Sequence, residues 1–305
     1  MHGLLSLLRI AFEQPQEAWG LESVGQAASI SVPSFALGVR GGLLRGDVHL
    51  AWVRWYLESI FDFRRLGDAP WTALYAQARA TVDHQLRDTP AHERQEVAMA
   101  LARFARAEVD RRQWAERISL SLADRRSLIV AAGSPPRCWV CGSTFPEEAL
   151  DRFLKSGTAD TPELPLYVDV YQPRGRIARD LLIEVDHVVP FSEGGLNEEN
   201  LRVACGWCNR VKSNSLTLYA APAGVRYAKH PTLGKVAVPQ PFWVVRLLGL
   251  RGRCEAPKGC DQTTSNARLT VCMRNVEGAP NPLNLMVCCY EHDSLKDRRF
   301  VPNAS

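Results

Sequence analysis

The sequence predicts an α+β chain: a mainly helical N-terminal domain followed by small, cysteine-stapled units built from short strands and helices. Three observations carry this. Helical periodicity runs from Asp47 to about Gly133, all nine cysteines lie after residue 137, and residues 181–214 read as strand, loop, strand, helix. With 305 residues, 46% of them hydrophobic, the chain is long enough for two or three domains with cores. Three segments are expected: 1–133, serving recognition, regulation or partner binding; 134–216, with an insertion at 146–178; and 217–305, a second cysteine-bearing unit.

The opening MHGLLSLLRIAFEQPQE has an apolar run of fewer than ten residues, without a basic region before it or a small-residue cleavage site after it. No signal peptide is expected, and no stretch approaches the ~20 apolar residues needed to cross a bilayer. A cytoplasmic location without a membrane partner is the expectation. The formal charge of +4 and pI of about 8.6 permit a polyanionic partner without demanding one.

Residues 1–45 show no sustained period and their structure is left open. From Asp47, HLAWVRWYLESIF and WTALYAQARATVDHQL read as helices; Thr89 and Pro90 then supply an N-cap and first helical position for AHERQEVAMALARFARAEV, with Val97, Leu101, Phe104 and Val109 on one face. A further helix is expected over RRQWAERISLSLADRRSLIVAA, ending near Gly133. Arg103, Arg106, Arg111, Arg112, Arg117, Arg125 and Arg126 are frequent here, but Glu108, Asp110, Glu116 and Asp124 interleave with them. A solvated face is therefore favoured over a phosphate-tracking one, and Trp52, Trp55 and Trp71 are read as core rather than as platforms for bases.

After SPP at 134–136 the texture changes to short β-like runs and cysteine pairs. Without a secretory signal, thiols are kept reduced, so metal binding is a better reading than a disulfide framework. CWVC at 138–141 and CGWC at 205–208 are two C-x-x-C knuckles, each able to place two thiolates on one Zn²⁺. Paired, Cys138, Cys141, Cys205 and Cys208 make a structural zinc site. A thioredoxin-like redox pair is the competing view, but it would need a single reactive pair in a βαβ setting. The 63 residues between Cys141 and Cys205 must hold structure of their own.

Within that interval LLIEVDHVVP reads as a strand ending in Asp186-His187 and closed by Pro190; SEGGLNEEN supplies a Gly-Gly turn, LRVAC a second strand and NRVKSN a short helix. A lone strand His or a lone Asn is usually packing or a cap. Their co-occurrence beside a metal staple is what points to chemistry. The run EVDHVVPFSEGGLNEENLRVACGWCNRVKSN resembles the HNH endonuclease motif, of the subclass whose ββα-metal fold is stapled by two C-x-x-C knuckles. The resemblance covers Cys138 to about Ser215, roughly a quarter of the chain, and departs from the usual pattern in the long link between Cys141 and Asp186.

The resemblance implies a metal-dependent nuclease that hydrolyses phosphodiester bonds in DNA, in a setting of microbial defence against foreign DNA. It assigns His187 as general base, Asp186 and Asn209 as ligands of a catalytic Mg²⁺ or Mn²⁺, and Asn200 as the residue that ties the loop between the strands and orients His187. Hard oxygen donors suit such an ion, so it would be separate from the zinc. Arg210 and Lys212, on the short helix, are expected to reach phosphates flanking the cut.

The tail segment LNLMVCCYEHDSLKD at 283–297 overlays ENLRVACGWCNRVKS at 199–213 without a gap, setting Cys289 on Cys205 and His292 on Cys208. With Cys254 and Cys260 this predicts a second zinc unit, Cys254, Cys260, Cys289 and His292, resembling a copy of the first whose acid and base are lost to Cys272 and Met273. Cys272 or Cys288 as the true ligand stays open. Such a unit would bind nucleic acid or a partner, helped by Arg298 and Arg299. Against the nuclease stand a non-catalytic zinc module and a scaffold or toxin-like subunit that works only in a complex, with the N-terminal domain as the protein-partner surface. The intact set Asp186, His187, Asn200 and Asn209 separates the nuclease from a pure binding module.

Overall fold

A computed structural model describes residues 4–5, 8–9, 25–26, 28–63, 66–67, 69–113, 120–155, 160–188, 200–222, 224 and 226–303. The chain divides into two compact units, Met1–Gly46 and Asp47–Ser305. In the first, Pro33 leads into a single helical turn, α1 (Ser34–Leu37), which Gly38 ends at a positive φ of 59° that side chains rarely adopt.

The second unit begins in α2 (Gly41–Ile60) and continues with α3 (Trp71–Gln85) and α4 (Ala91–Gln113). Leu74, Ala78 and Val82 recur every four residues on α3 and meet Ala98, Leu101, Ala102 and Ala105 of α4, with Ile60 and Phe61 closing the cluster. The alanine stripe lets the two backbones approach closely, and this chooses the buried face of α4. Val97 and Phe104, expected on that face, are exposed, Phe104 by 60%. The tryptophans expected in the core are exposed too: Trp52 by 57%, Trp55 by 63% and Trp71 by 40%. On α2 only Asp47 and Ile60 are buried.

The helix expected over residues 111–132 is not continuous. α4 runs to Gln113, and α5 (Leu122–Ala131) opens separately at a capping box in which the Ser121 hydroxyl accepts from the Asp124 N–H while the Asp124 carboxylate accepts from the Ser121 N–H. Residues 114–119, Arg117 among them, and the side chains of Arg111 and Arg112 lie outside the described residues. Arg106 donates to the Ala69 carbonyl and Arg125 to that of Phe153, so both are spent on the protein's own backbone.

Beyond α5 the architecture is a mixture of short helices and two-stranded sheets. The expected insertion contributes α6 (Glu147–Leu154) and β1 (Tyr167–Asp169). Next come the antiparallel pair β2 (Ile183–His187) and β3 (Leu201–Cys205), then α7 (Gly206–Lys212), which opens inside the second knuckle rather than after it. The expected Gly-Gly turn and Pro190 lie outside the described residues. A hairpin, β4 (Arg226–His230) with β5 (Gly234–Val238), leads to α8 (Pro241–Arg251), where Pro241 pre-sets the first turn and Gly252, φ 58°, closes the last.

Helix α8 is buried almost all round, through Phe242, Trp243, Val244, Val245, Leu247 and Leu248, because it packs on α7 on one side and on β6 (Leu269–Met273) and β7 (Leu285–Cys289) on the other. The last strand, β8 (Phe300–Pro302), pairs antiparallel with β1, so the insertion is tied to the C-terminal segment. Buried Asp47 does the same for α2: its Oδ1 meets Arg246 at 2.8 Å and its Oδ2 accepts from the Leu218 N–H at 2.7 Å.

Candidate active site and metal centres

Cys138, Cys141, Cys205 and Cys208 are all buried, and their sulfurs lie within 4.8 Å of one another. Four thiolates on a tetrahedral ion at ~2.3 Å stand about 3.8 Å apart, so the cluster has the right span for one metal ion. The first knuckle is closed by Cys138 N–H to the Ser143 carbonyl (2.9 Å) and Gly142 N–H to the Cys138 carbonyl (2.8 Å), with Gly142 at φ 69°. The Cys205 N–H points at the Cys138 sulfur, 3.3 Å away. Burial pushes the Cys138 and Cys208 thiols well up, while hydrogen bonding from Cys138 holds Cys141 well down. Thiols this close cannot all ionise unless a cation shares their charge. Burial disfavours the charge on Arg174, yet the four sulfurs outweigh it and hold the guanidinium above its usual range.

Strand β2 ends beside this cluster. Its alternation sets Glu184 and Asp186 on one face, toward α7, and Val185 and His187 on the other. Asn209, directly after Cys208, donates Nδ2 to Glu184 Oε2 at 2.7 Å, which aligns its amide oxygen. Asp186 is buried and holds two partners: Lys212 Nζ at 2.7 Å on Oδ1 and the Trp139 indole N–H at 3.0 Å on Oδ2. Burial raises the Asp186 pKa, with Lys212 and Trp139 opposing it. His187 is half-buried, and burial lowers its pKa against the pull of Asp186, the direction a neutral base needs.

Asp186 and His187 on β2 thus stand beside the helix that carries Asn209, Arg210 and Lys212, and the last two differ in posture from what was expected. Lys212 is turned inward, onto Asp186 and the His187 carbonyl, instead of out toward solvent. Arg210 is exposed but paired with Asp180. Asn200 stands at the entry to β3, where its carbonyl accepts from the Val188 N–H at 2.9 Å. Sequence reasoning missed Glu184 and Trp139. Glu184, two residues before Asp186 on a strand, shares its face by period alone; Trp139 carried no comparable signal.

The second predicted set also assembles. Cys254, Cys260, Cys289 and His292 place one ligand atom each within 4.8 Å of the others, with Cys289 Sγ 3.3 Å and Cys254 Sγ 3.6 Å from His292 Nδ1. Cys289, and neither Cys272 nor Cys288, is the residue in this group. The echo in sequence is an echo in structure. Ile183 pairs with Cys205 and His187 with Leu201; Leu269 pairs with Cys289 and Met273 with Leu285, five residues against five in the same register. Trp139 N–H reaches the Val203 carbonyl (3.1 Å), and Glu255 N–H reaches that of Val287 (2.9 Å), one residue after the first cysteine in each case.

Among the described residues no helix is long and apolar enough to cross a membrane. No curated protein and no solved structure matches the chain. Residues 176–215, which hold Asp186, His187, Asn200, Asn209 and the second cysteine knuckle, match the family model for HNH endonucleases, and this HNH domain suggests nuclease activity in general.

Proposed function

We propose that the protein is a metal-dependent HNH endonuclease that hydrolyses phosphodiester bonds in DNA. One observation carries the reading: Glu184, Asp186 and Asn209 offer oxygen donors from one strand face and the helix facing it, with His187 next in sequence. The donor set is all oxygen, which fits Mg²⁺ or Mn²⁺ and not a thiophilic ion. Asp186 and Asn209 would hold it. Such an ion supplies charge neutralisation at the scissile phosphate and the leaving oxygen. The rest falls to side chains: His187 takes the proton of the attacking water, Asn200 fastens the strand-loop junction that aims it, and Arg210 contacts a flanking phosphate.

The role of Asn200 is supported by its counterpart. Asn284 fastens the equivalent loop, accepting from the Asn275 N–H at 2.9 Å and donating to the carbonyls of Asn275 (2.8 Å) and Ala279 (3.0 Å). Zinc in the two four-ligand clusters, Cys138/Cys141/Cys205/Cys208 and Cys254/Cys260/Cys289/His292, is the structural part of the proposal, since three or four thiolates per site suit it. The exposed Trp52 and Trp55 of α2 give the N-terminal helices the character of a protein-partner surface, and restriction of foreign DNA is the proposed biological setting.

The test is nicking of supercoiled plasmid with Mg²⁺ or Mn²⁺ by wild type and His187→Ala, with a chelator control. Loss of at least a hundredfold in rate is expected for the variant; equal rates remove His187 as the base. A second reading, a non-catalytic module that binds nucleic acid or a partner in a larger complex, is favoured by one fact: both carboxylate oxygens of Asp186 are taken by Lys212 and Trp139. Tight DNA binding without nicking, under every divalent ion tried, would select it.

A further inference from the structure

Beyond the two four-ligand clusters, the described residues hold one more group of metal-ligating side chains. Cys272, Cys288 and Asp293 are each buried, and one ligand atom from each lies within 4.8 Å of the other two. Thr270 faces Cys288 across the β6–β7 pair and Cys272 faces Met286, so the two cysteines are diagonal neighbours on one face. Diagonal positions are about 7–8 Å apart at the backbone, so the sulfurs have turned toward one another. Cys289, on the opposite face of β7, belongs to the other cluster.

The position of this group within its unit gives it meaning. Equal registers superpose Cys272 on Asp186 and Cys288 on Ala204, and Asp293, directly after the knuckle's last ligand, falls on Asn209. The second unit thus keeps ligating atoms at the places of Asp186 and Asn209, a thiol at the first and a carboxylate at the second, and adds a second thiol where the first unit has Ala204. Asp293 is oriented as a ligating carboxylate would be: its Oδ1 accepts from the Leu295 N–H at 3.0 Å, and its Oδ2 meets Arg299 Nη1 at 2.6 Å. Arg299 is fixed in turn by Asp169 at 2.9 Å and the Thr270 hydroxyl at 2.6 Å.

We propose that Cys272, Cys288 and Asp293 form a third metal site, taking a thiophilic divalent cation of the zinc class. Two thiolates and a carboxylate around such an ion leave a single net negative charge, which the guanidinium on Asp293 offsets; Asp169, beyond Arg299, has Arg268 at 4.0 Å. Oxygen donors in the first unit and sulfur donors in the second reverse the ion preference. The burial of all three ligands leaves no face for a substrate, so the ion is structural, clamping β6, β7 and the segment after the knuckle around Arg299. The site is independent of whether the first unit cuts DNA.

Native mass spectrometry of the zinc-loaded full chain is expected to show three ions, falling to two in a Cys272→Ser/Cys288→Ser variant. Cadmium-113 NMR of the wild type needs no variant: it is expected to show three sulfur-bound resonances, from S₄, S₃N and S₂O environments. An ion on Asp186 and Asn209 has no sulfur donor and is told apart in that spectrum. Two sulfur-bound ions in the wild type, an unchanged count in the double serine variant, or a chain two hydrogens lighter with Cys272 joined to Cys288 would each overturn the site. If the variant fails to fold, the wild-type cadmium spectrum decides, and absence of an S₂O resonance sinks the proposal.

Discussion

Lys212 and Asp186 form an ion pair at 2.7 Å with only 9% and 5% of their side chains exposed, joining the last turn of α7 to the strand that carries His187. The ammonium already occupies the kind of place a divalent ion would take beside this carboxylate. If Asp186 holds the proposed ion, that ion would displace this ammonium, and the freed Lys212 would be available to a phosphate.

Replacing one partner tests the strength of this pair. Lys212→Met leaves the Asp186 charge buried with only the Trp139 N–H, so stability is expected to fall by about 3 kcal/mol, read from urea unfolding. A loss under about 0.5 kcal/mol would show that water reaches Asp186 in solution.

Metal removal acts on the whole second half. Structural zinc contributes on the order of 10 kcal/mol of folding free energy. Cys205→Ala is expected to lose one zinc per chain and the cooperative melting of residues 134–305. Full zinc content with an unchanged melting temperature contradicts the four-cysteine assignment.

Gly142 is a close-approach position. A Cβ there would stand 2.0 Å from the Ala267 carbonyl oxygen and 2.9 Å from Thr264 Cα, at a φ of +69°. Both obstacles are backbone, so Gly142→Ala is expected to cost at least about 2 kcal/mol and to loosen the Cys141 carbonyl from the Leu269 N–H, now at 2.8 Å. Faster amide exchange at Leu269 in the variant is the measurement.

The capping box at Ser121 is the local test. Ser121→Ala is expected to cost about 1 kcal/mol, and because the box is exposed the effect stays in α5, seen as faster exchange in its first turn with metal content unchanged.

What the sequence made legible was local. The knuckles Cys138/Cys141, Cys205/Cys208 and Cys289/His292 follow from spacings of three residues and β2 and β3 from strand period, while the joining of distant knuckles was read from the recurrence of the pattern, an ungapped match of 283–297 with 199–213. What it hid depends on packing between distant segments. The inward turn of Lys212 rests on Trp139, whose ring also faces Gly249 of α8. On α4, Leu101 and Val109 are buried as expected, but Val97 and Phe104 are exposed because alanines, and not only large apolar residues, set the helix approach. The pairing of β1 with β8 joins residues more than a hundred positions apart, with only three residues per strand to signal it.

That pairing sets a timetable. Strand β1 belongs to the stretch between the two knuckles of the HNH unit, yet its partner is made only when translation reaches residue 302. At typical elongation rates the interval is on the order of ten seconds. In its later part the growing chain has both knuckles and His187 but not the segment that sets Arg299 against Asp169, so the inserted strand stays unpaired until β8 is made.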